Sequence, residues 1–250
     1  MSIETAVALL AVIAVGTYFQ TVTGFGLGMI VIGVSSGFGL APISLVAAII
    51  SLVTLMNSAV ALPGKLHHID WPAARYVLVG VLPSTLAGVL LLEYMSATAA
   101  NLLQLLLGLT IIYSGVVFML RPAPLVKRSS NLSFFVSGFF SGLFGGLFGM
   151  AGPPVIFHFY RQPFDLATVR NMLLLTFAFT AGTRTIFAGT QGTFTPAVWA
   201  LIGFTVPLVA LATIAGRRYP PPFAQVTMRR IAFGVLILIG SGLVFNTLYR

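Results

Sequence analysis

The sequence predicts an all-α polytopic membrane protein made of two inverted repeats, each a broken re-entrant helical hairpin followed by three transmembrane helices. Three observations carry that expectation: the composition, a glycine-rich helix break that occurs twice, and the sidedness of the basic residues. The chain has 250 residues, of which 58% are apolar and 7% charged. Its mean hydropathy is +1.04. Soluble domains carry about 25% charged residues, so this chain is read as bilayer-embedded. No polar stretch is long enough to form an extramembrane domain. The absence of cysteine excludes disulfides and thiolate metal sites. The formal net charge of +9 marks cytoplasmic loops rather than nucleic-acid binding. The N-terminus begins Met1-Ser2-Ile3-Glu4, with no basic leader region, and its apolar run is kept as structure.

Taken in order, apolar segments are expected at 3–38, 43–62, 74–92, 99–120, 132–163, 166–188, 196–215 and 231–249. Most approach the ~20 residues that span a bilayer. The first is interrupted at 24–28 by Thr23-Gly24-Phe25-Gly26-Leu27-Gly28. The fifth is interrupted at 149–154 within Gly145-Gly146-Leu147-Phe148-Gly149-Met150-Ala151-Gly152-Pro153-Pro154. An intact helix does not run through that density of glycine and proline. At membrane depth, broken helix survives only where it faces protein or a water-filled cavity. Paired breaks in two halves of a chain point to a transporter's binding site.

The halves match at nearly constant offset. At 126, Gly16 falls on Gly142, Gly26 on Gly152, and Leu40-Ala41 on Leu166-Ala167. At 124, Pro72 and Pro83 fall on Pro196 and Pro207; at 127, Ser114-Gly115 falls on Ser241-Gly242. The expected organisation is a first repeat over 1–122, a cytoplasmic linker over 123–131 and a second repeat over 132–250.

Charge selects between two topologies. With eight full crossings, seven basic residues fall on one side and six on the other. With each broken segment entering and returning on the same side, Lys65, Arg75, Arg121, Lys127, Arg128, Arg161, Arg170, Arg217, Arg218, Arg229 and Arg230 gather on one side. Only Arg184 and Arg250 remain opposite. That asymmetry is what the positive-inside rule demands, and it places both termini outside.

Each hairpin's second arm starts at its tip, and Pro153-Pro154 suits a helix start. A helix N-terminus carries about half a positive charge and free N–H donors. Two inverted hairpins would aim such ends at one another and form an anion site. Gly26, Gly28, Gly149 and Gly152 would offer backbone to an oxyanion, and Gln20 and Thr23 side-chain donors. The alternative is that the glycines only allow close helix packing.

Arg184 is the one charge well inside a span, and intramembrane arginine is a functional candidate. It would supply charge to the substrate, or it would snorkel to the outer headgroups. At offset 126 its partner is Ser58, and Thr183 pairs with Asn57, which extends the candidate set. His158, in the second return arm, would carry a coupling proton or pack as a hydrogen-bonded residue. Arg170 and Asn171 read as a topology charge and its neighbour, and His67, His68 and Asp70 as a loop cluster rather than a metal site. No carboxylate lies mid-membrane. That counts against a carboxylate proton relay and against membrane-embedded hydrolysis, so no catalytic residue, metal or cofactor is expected.

The two glycine breaks, together with the loop Lys65-Leu66-His67-His68-Ile69-Asp70-Trp71, resemble the TauE/SafE family of sulfite and organosulfonate exporters. The duplication covers nearly the whole chain, as in that family. Phe25, Leu27, Met150 and Ala151 interrupt glycine runs that are longer in the family's richest form. The resemblance implies a secondary transporter of the bacterial inner membrane, not an enzyme. It would export small sulfur-containing anions by alternating access, with the bilayer and the anion as its partners. A passive anion channel and a membrane-embedded lipid phosphatase are the competing expectations, and a homodimer is an open arrangement.

Overall fold

The computed structural model describes residues 3–23, 25–62, 64, 66–119, 125–192, 194–219 and 225–248. Among them the chain is all-helical, with ten α-helices and one 3-10 turn at Leu66–His68. The helices are α1 (Ile3–Thr23), α2 (Leu27–Gly37), α3 (Ile43–Ala61), α4 (Trp71–Thr98), α5 (Ala100–Met119), α6 (Asn131–Phe148), α7 (Gly152–Arg161), α8 (Leu166–Thr190), α9 (Pro196–Arg218) and α10 (Gln225–Leu248). Five stretches are long and apolar enough to cross a bilayer: Ile3–Thr21, Trp71–Thr98, Asn131–Phe148, Leu166–Thr190 and Val198–Gly216.

Both breaks fall where the glycines put them. Gly26 precedes α2 with φ 108, and Gly149 ends α6 with φ 68. These are left-handed conformations that cost an L-residue with a Cβ roughly 1–2 kcal/mol. Polar side chains within the helices mostly turn back on their own backbone. Thr85 donates to Val81 O at 2.7 Å, Thr176 to Met172 O at 2.8 Å and Thr205 to Leu201 O at 2.8 Å. A hydroxyl satisfied this way can sit in an apolar span without a partner helix.

The chain forms two compact units, each assembled from both halves of the sequence. One comprises Met1–Ala47, Glu93–Arg121 and Phe194–Arg250; the other comprises Ala48–Leu92 and Pro122–Thr193.

In the first unit, α1 packs against α9. Gly216 lies against Thr21 and the Tyr18 carbonyl, and the Tyr18 hydroxyl donates to Tyr219 O at 2.8 Å. Helices α5 and α10 run antiparallel. A Cβ on Gly108 would meet Gly240 O at 3.0 Å, and one on Gly115 would meet Phe233 O at 3.1 Å. Arm α2 seats Gly33 against Ile111 and Ile239. At the tip, the Phe25 ring stacks on Phe233 at 5.6 Å. Phe233 is fifteen residues before Leu248, so the tip lies ~22 Å from that end of α10.

In the second unit, α4 and α6 run in the same sense, in backbone contact. A Cβ on Gly138 would fall 2.3 Å from Val77 O, on Gly142 2.5 Å from Val81 O, and on Gly146 2.3 Å from Thr85 O. This four-residue spacing of small residues lets two helices approach more closely than any other side chain permits. Helices α3 and α8 run in opposite senses: Ser58 Oγ donates to Leu174 O at 3.4 Å, while Leu55 lies beside Gly182. Gly146 sits level with Thr85 and Gly88, ~21–26 Å along α4 from Trp71.

Candidate functional site

The second hairpin's tip is built from three helices of one unit. Arm α6 ends as Gly149 donates its N–H to Gly145 O at 2.9 Å. Arm α7 begins at Gly152, whose added Cβ would press on Ile156. Pro153 and Pro154 have no N–H, so the first turn of α7 carries few donors. One of them, Val155 N–H, is held by Ser141 Oγ at 2.9 Å. The helix start therefore keeps its dipole but has little free N–H to offer.

Helix α8 supplies the third wall. Thr180 lies against Gly145, and Phe177 is near Gly152. Arg184, one turn beyond Thr180, completes this face and is only 3% exposed. It does not reach for the headgroups. Its Nη1 donates to Gly145 O at 3.2 Å and to Gly146 O. A cation at the last carbonyls of a helix meets the negative end of that helix's dipole. Two consequences follow for the side chain. It fastens the end of α6, and its Nε is left buried with no hydrogen-bond partner among the described residues.

Among the described residues no carboxylate pairs with this charge. In the same unit the acids are Asp70 and Asp165. Asp70 caps α4 through Ala73 N–H at 2.9 Å and pairs with Arg128 at 3.4 Å. Asp165 caps α8 through Thr168 N–H at 2.6 Å. Hydrogen bonds from Thr168 hold the Asp165 carboxyl below its ordinary pKa. Asp165 is nineteen residues from Arg184, ~28 Å of helix.

The other candidates divide between the units. Asn57 is 7% exposed, and its Nδ2 has no partner among the described residues. Ser58 is spent on Leu174 O, and Thr183 on Phe179 O at 2.9 Å. His158 meets the Phe134 ring edge-on at 4.7 Å, and its Nε2 is buried without a partner among the described residues. At the first tip, Gln20 acts as an acceptor. Its Oε1 takes Leu27 N–H at 3.3 Å, and the side chain is 6% exposed. Gly26 turns the chain against Phe19, and Gly28 lies in the first turn of α2. The side chain of Thr23 lies outside the described residues.

Sequence reasoning missed Ser141 and Gln162. Ser141 was legible in principle as a polar side chain on the arm facing a helix start, where early N–H groups take acceptors from outside the helix. Gln162 receives Ser129 N–H at 2.9 Å and donates to Ser129 Oγ at 2.9 Å, tying the linker to the end of α7. Nothing in the local pattern announces that contact.

A family profile described as sulfite exporter TauE/SafE matches residues 8–243. The chain is 57% identical over 233 residues to a protein of Cupriavidus necator named "Probable sulfite/organosulfonate exporter TauE". The alignment covers 93% of this chain and 91% of that protein. No solved structure matches.

Proposed function

The chain belongs to the TauE/SafE sulfite exporter family, and from that premise we propose that it is a secondary transporter of small sulfur-containing oxyanions, sulfite or a short organosulfonate. It exports them across the bacterial inner membrane by alternating access, with the broken hairpins as the moving parts. The observation that carries this reading is Arg184: a buried guanidinium whose Nε has no partner and which has no paired carboxylate among the described residues. A buried charge is retained when something balances it, and a transported anion supplies that balance. Gly149, Gly152, Asn57, Ser58 and Thr183 share the unit with Arg184 and complete the proposed contacts there. Gln20, Thr23, Gly26 and Gly28 are the proposed contacts at the first tip, and His158 is the proposed coupling group.

Helix directions support the re-entrant topology. If each broken segment crossed once, α5 and α10 would be the fourth and eighth of eight crossings and would run parallel. They pack antiparallel, as do α3 and α8. Corresponding helices of two inverted repeats must do so. Each hairpin also packs on the fourth helix of the other half, α1 on α9 and α6 on α4, which fits two copies exchanging the same element. The basic end of α9 and the linker are then cytoplasmic, and both termini are outside.

Outward movement of one negative charge releases ~2.3 kcal/mol per 100 mV of negative-inside potential, enough to drive uniport; a proton carried by His158 is the coupled form of the same proposal. The test is sulfite flux in proteoliposomes. Saturable uptake with accelerated exchange against internal sulfite supports a carrier. A current that rises linearly with concentration, without exchange, would replace it with a channel.

A further inference from the structure

Building on the transporter reading, we propose that the Arg184 site selects its substrate by charge: it takes sulfur oxyanions as monoanions and rejects dianions of the same size.

The argument is an inventory of charge around one side chain. Arg184 carries the single formal positive charge at the second tip. Its Nη1 is committed to the Gly145 and Gly146 carbonyls, which leaves the edge containing the unpartnered Nε. A guanidinium edge presents two parallel donors to two oxygens of one oxyanion. The partial charges nearby come in a near-cancelling pair, the negative end of α6 and the positive end of α7. One negative charge therefore neutralises the site, and a second finds no partner.

Among the described residues, the other cations of this unit lie far down the helices or in the linker: Arg75 is ten residues before Thr85 on α4, ~15 Å, and Lys127 is next to Arg128 in the linker. Arg170 is fourteen residues before Arg184 on the same helix, ~21 Å away. Arg161 is nine residues from Gly152 along α7, ~13 Å. Arg128 is paired with Asp70 and sits over the Phe134 ring at 5.0 Å; Phe134 is eleven residues, ~16 Å of helix, from Gly145. An extra charge in water-poor surroundings is strongly disfavoured when nothing pairs with it.

The proton that matters belongs to the ligand. Sulfite is singly charged only when protonated, a state it loses near neutral pH, whereas a simple sulfonate is a monoanion throughout. The elements packed on α8 carry no carboxylate near the tip. Their titratable or charged groups are His158, Tyr160 and Arg161 on α7, and His67 and His68 on the 3-10 turn, with Arg170 on α8 itself; α3 and α6 have none. A change in the charge of any of these groups would move methanesulfonate together with sulfite, so the difference between the two profiles belongs to sulfite.

Binding of sulfite, sulfate and methanesulfonate to the purified protein, followed from about pH 6 to about pH 8.5, tests this. Sulfite affinity is expected to fall about tenfold per pH unit once the monoanion becomes the minor form, while methanesulfonate stays flat. Sulfate is expected to bind at least about tenfold more weakly than methanesulfonate throughout. Equal affinity for sulfate and methanesulfonate, a flat sulfite profile, or a parallel decline of both profiles would overturn the charge rule while leaving the transporter reading standing. If neither sulfite nor methanesulfonate binds at any pH, the anion reading of the site fails, and the charge rule with it.

Discussion

Replacing Arg184 by Gln separates the two jobs the structure gives this side chain. The Nη1 donor serves Gly145 O and Gly146 O. Gly145 O keeps its bond from Gly149 N–H after the change, so only Gly146 O is left bare. An unsatisfied buried carbonyl costs about 1–3 kcal/mol, but the variant no longer buries a guanidinium, which offsets part of that loss. Stability is therefore expected to change by less than about 2 kcal/mol. Anion binding is expected to suffer more. A hydrogen bond to a charged group contributes about 1.5–3 kcal/mol, which converts to roughly a 10- to 150-fold rise in Kd. Sulfite binding to the purified variant reads the second quantity, and its thermal unfolding midpoint reads the first. A folded Arg184→Gln protein whose Kd stays within about twofold of the native value would refute the role of Arg184 as counter-charge.

Three further outcomes follow from particular contacts. Gly146→Ala would place a Cβ 2.3 Å from Thr85 O, and backbone cannot yield as a side chain can; about 1–3 kcal/mol of destabilisation is expected in a detergent unfolding assay, with Gly203→Ala, which has nothing within 4 Å, near neutral. Ser141→Ala removes the acceptor of Val155 N–H and should cost about 1–3 kcal/mol, whereas Ser141→Thr keeps the hydroxyl and should recover much of it, as unfolding midpoints would report. Gln20→Glu keeps an acceptor for Leu27 N–H but buries a carboxylate at a position only 6% exposed; the uncompensated charge should lower the unfolding midpoint despite the favourable end of α2 and should lower sulfite flux per folded protein, and unchanged flux would remove the first tip from the substrate path.

The positions of the helices and of both breaks were legible because they depend on local chemistry. Apolar runs near the length of a bilayer, glycines that accept a positive φ and prolines at a helix start each act within a few residues. The breaks expected at 24–28 and 149–154 are shorter in the structure, where α2 already begins at Leu27 and α7 at Gly152. Arg184 was conspicuous for a similar reason, since a charge inside an apolar span is visible without any fold. Its surroundings were not. The snorkelling alternative could be dismissed only once the side chain was seen turned inward onto α6, thirty-eight residues earlier in the sequence.

The glycines show the same division. Sequence alone left open whether they bind a ligand or let helices touch. The structure assigns Gly138, Gly142 and Gly146 to contact with α4, and Gly26 and Gly149 to the turns. Donor chemistry at the tips was likewise beyond a linear reading. The helix starts that looked open hold their own acceptors, Gln20 at one and Ser141 at the other.

By itself, then, the sequence determined the helical membrane class, the places where the helices break and the presence of one intramembrane cation. Each follows from propensity, hydropathy or charge read within a single segment. The tertiary structure decided which helices pair and in which sense, that the compact units draw on both halves, and that Arg184 spends one nitrogen on backbone and keeps another unpaired. Those depend on contacts between residues far apart in the chain, and no local rule sets which helix another will choose to pack against.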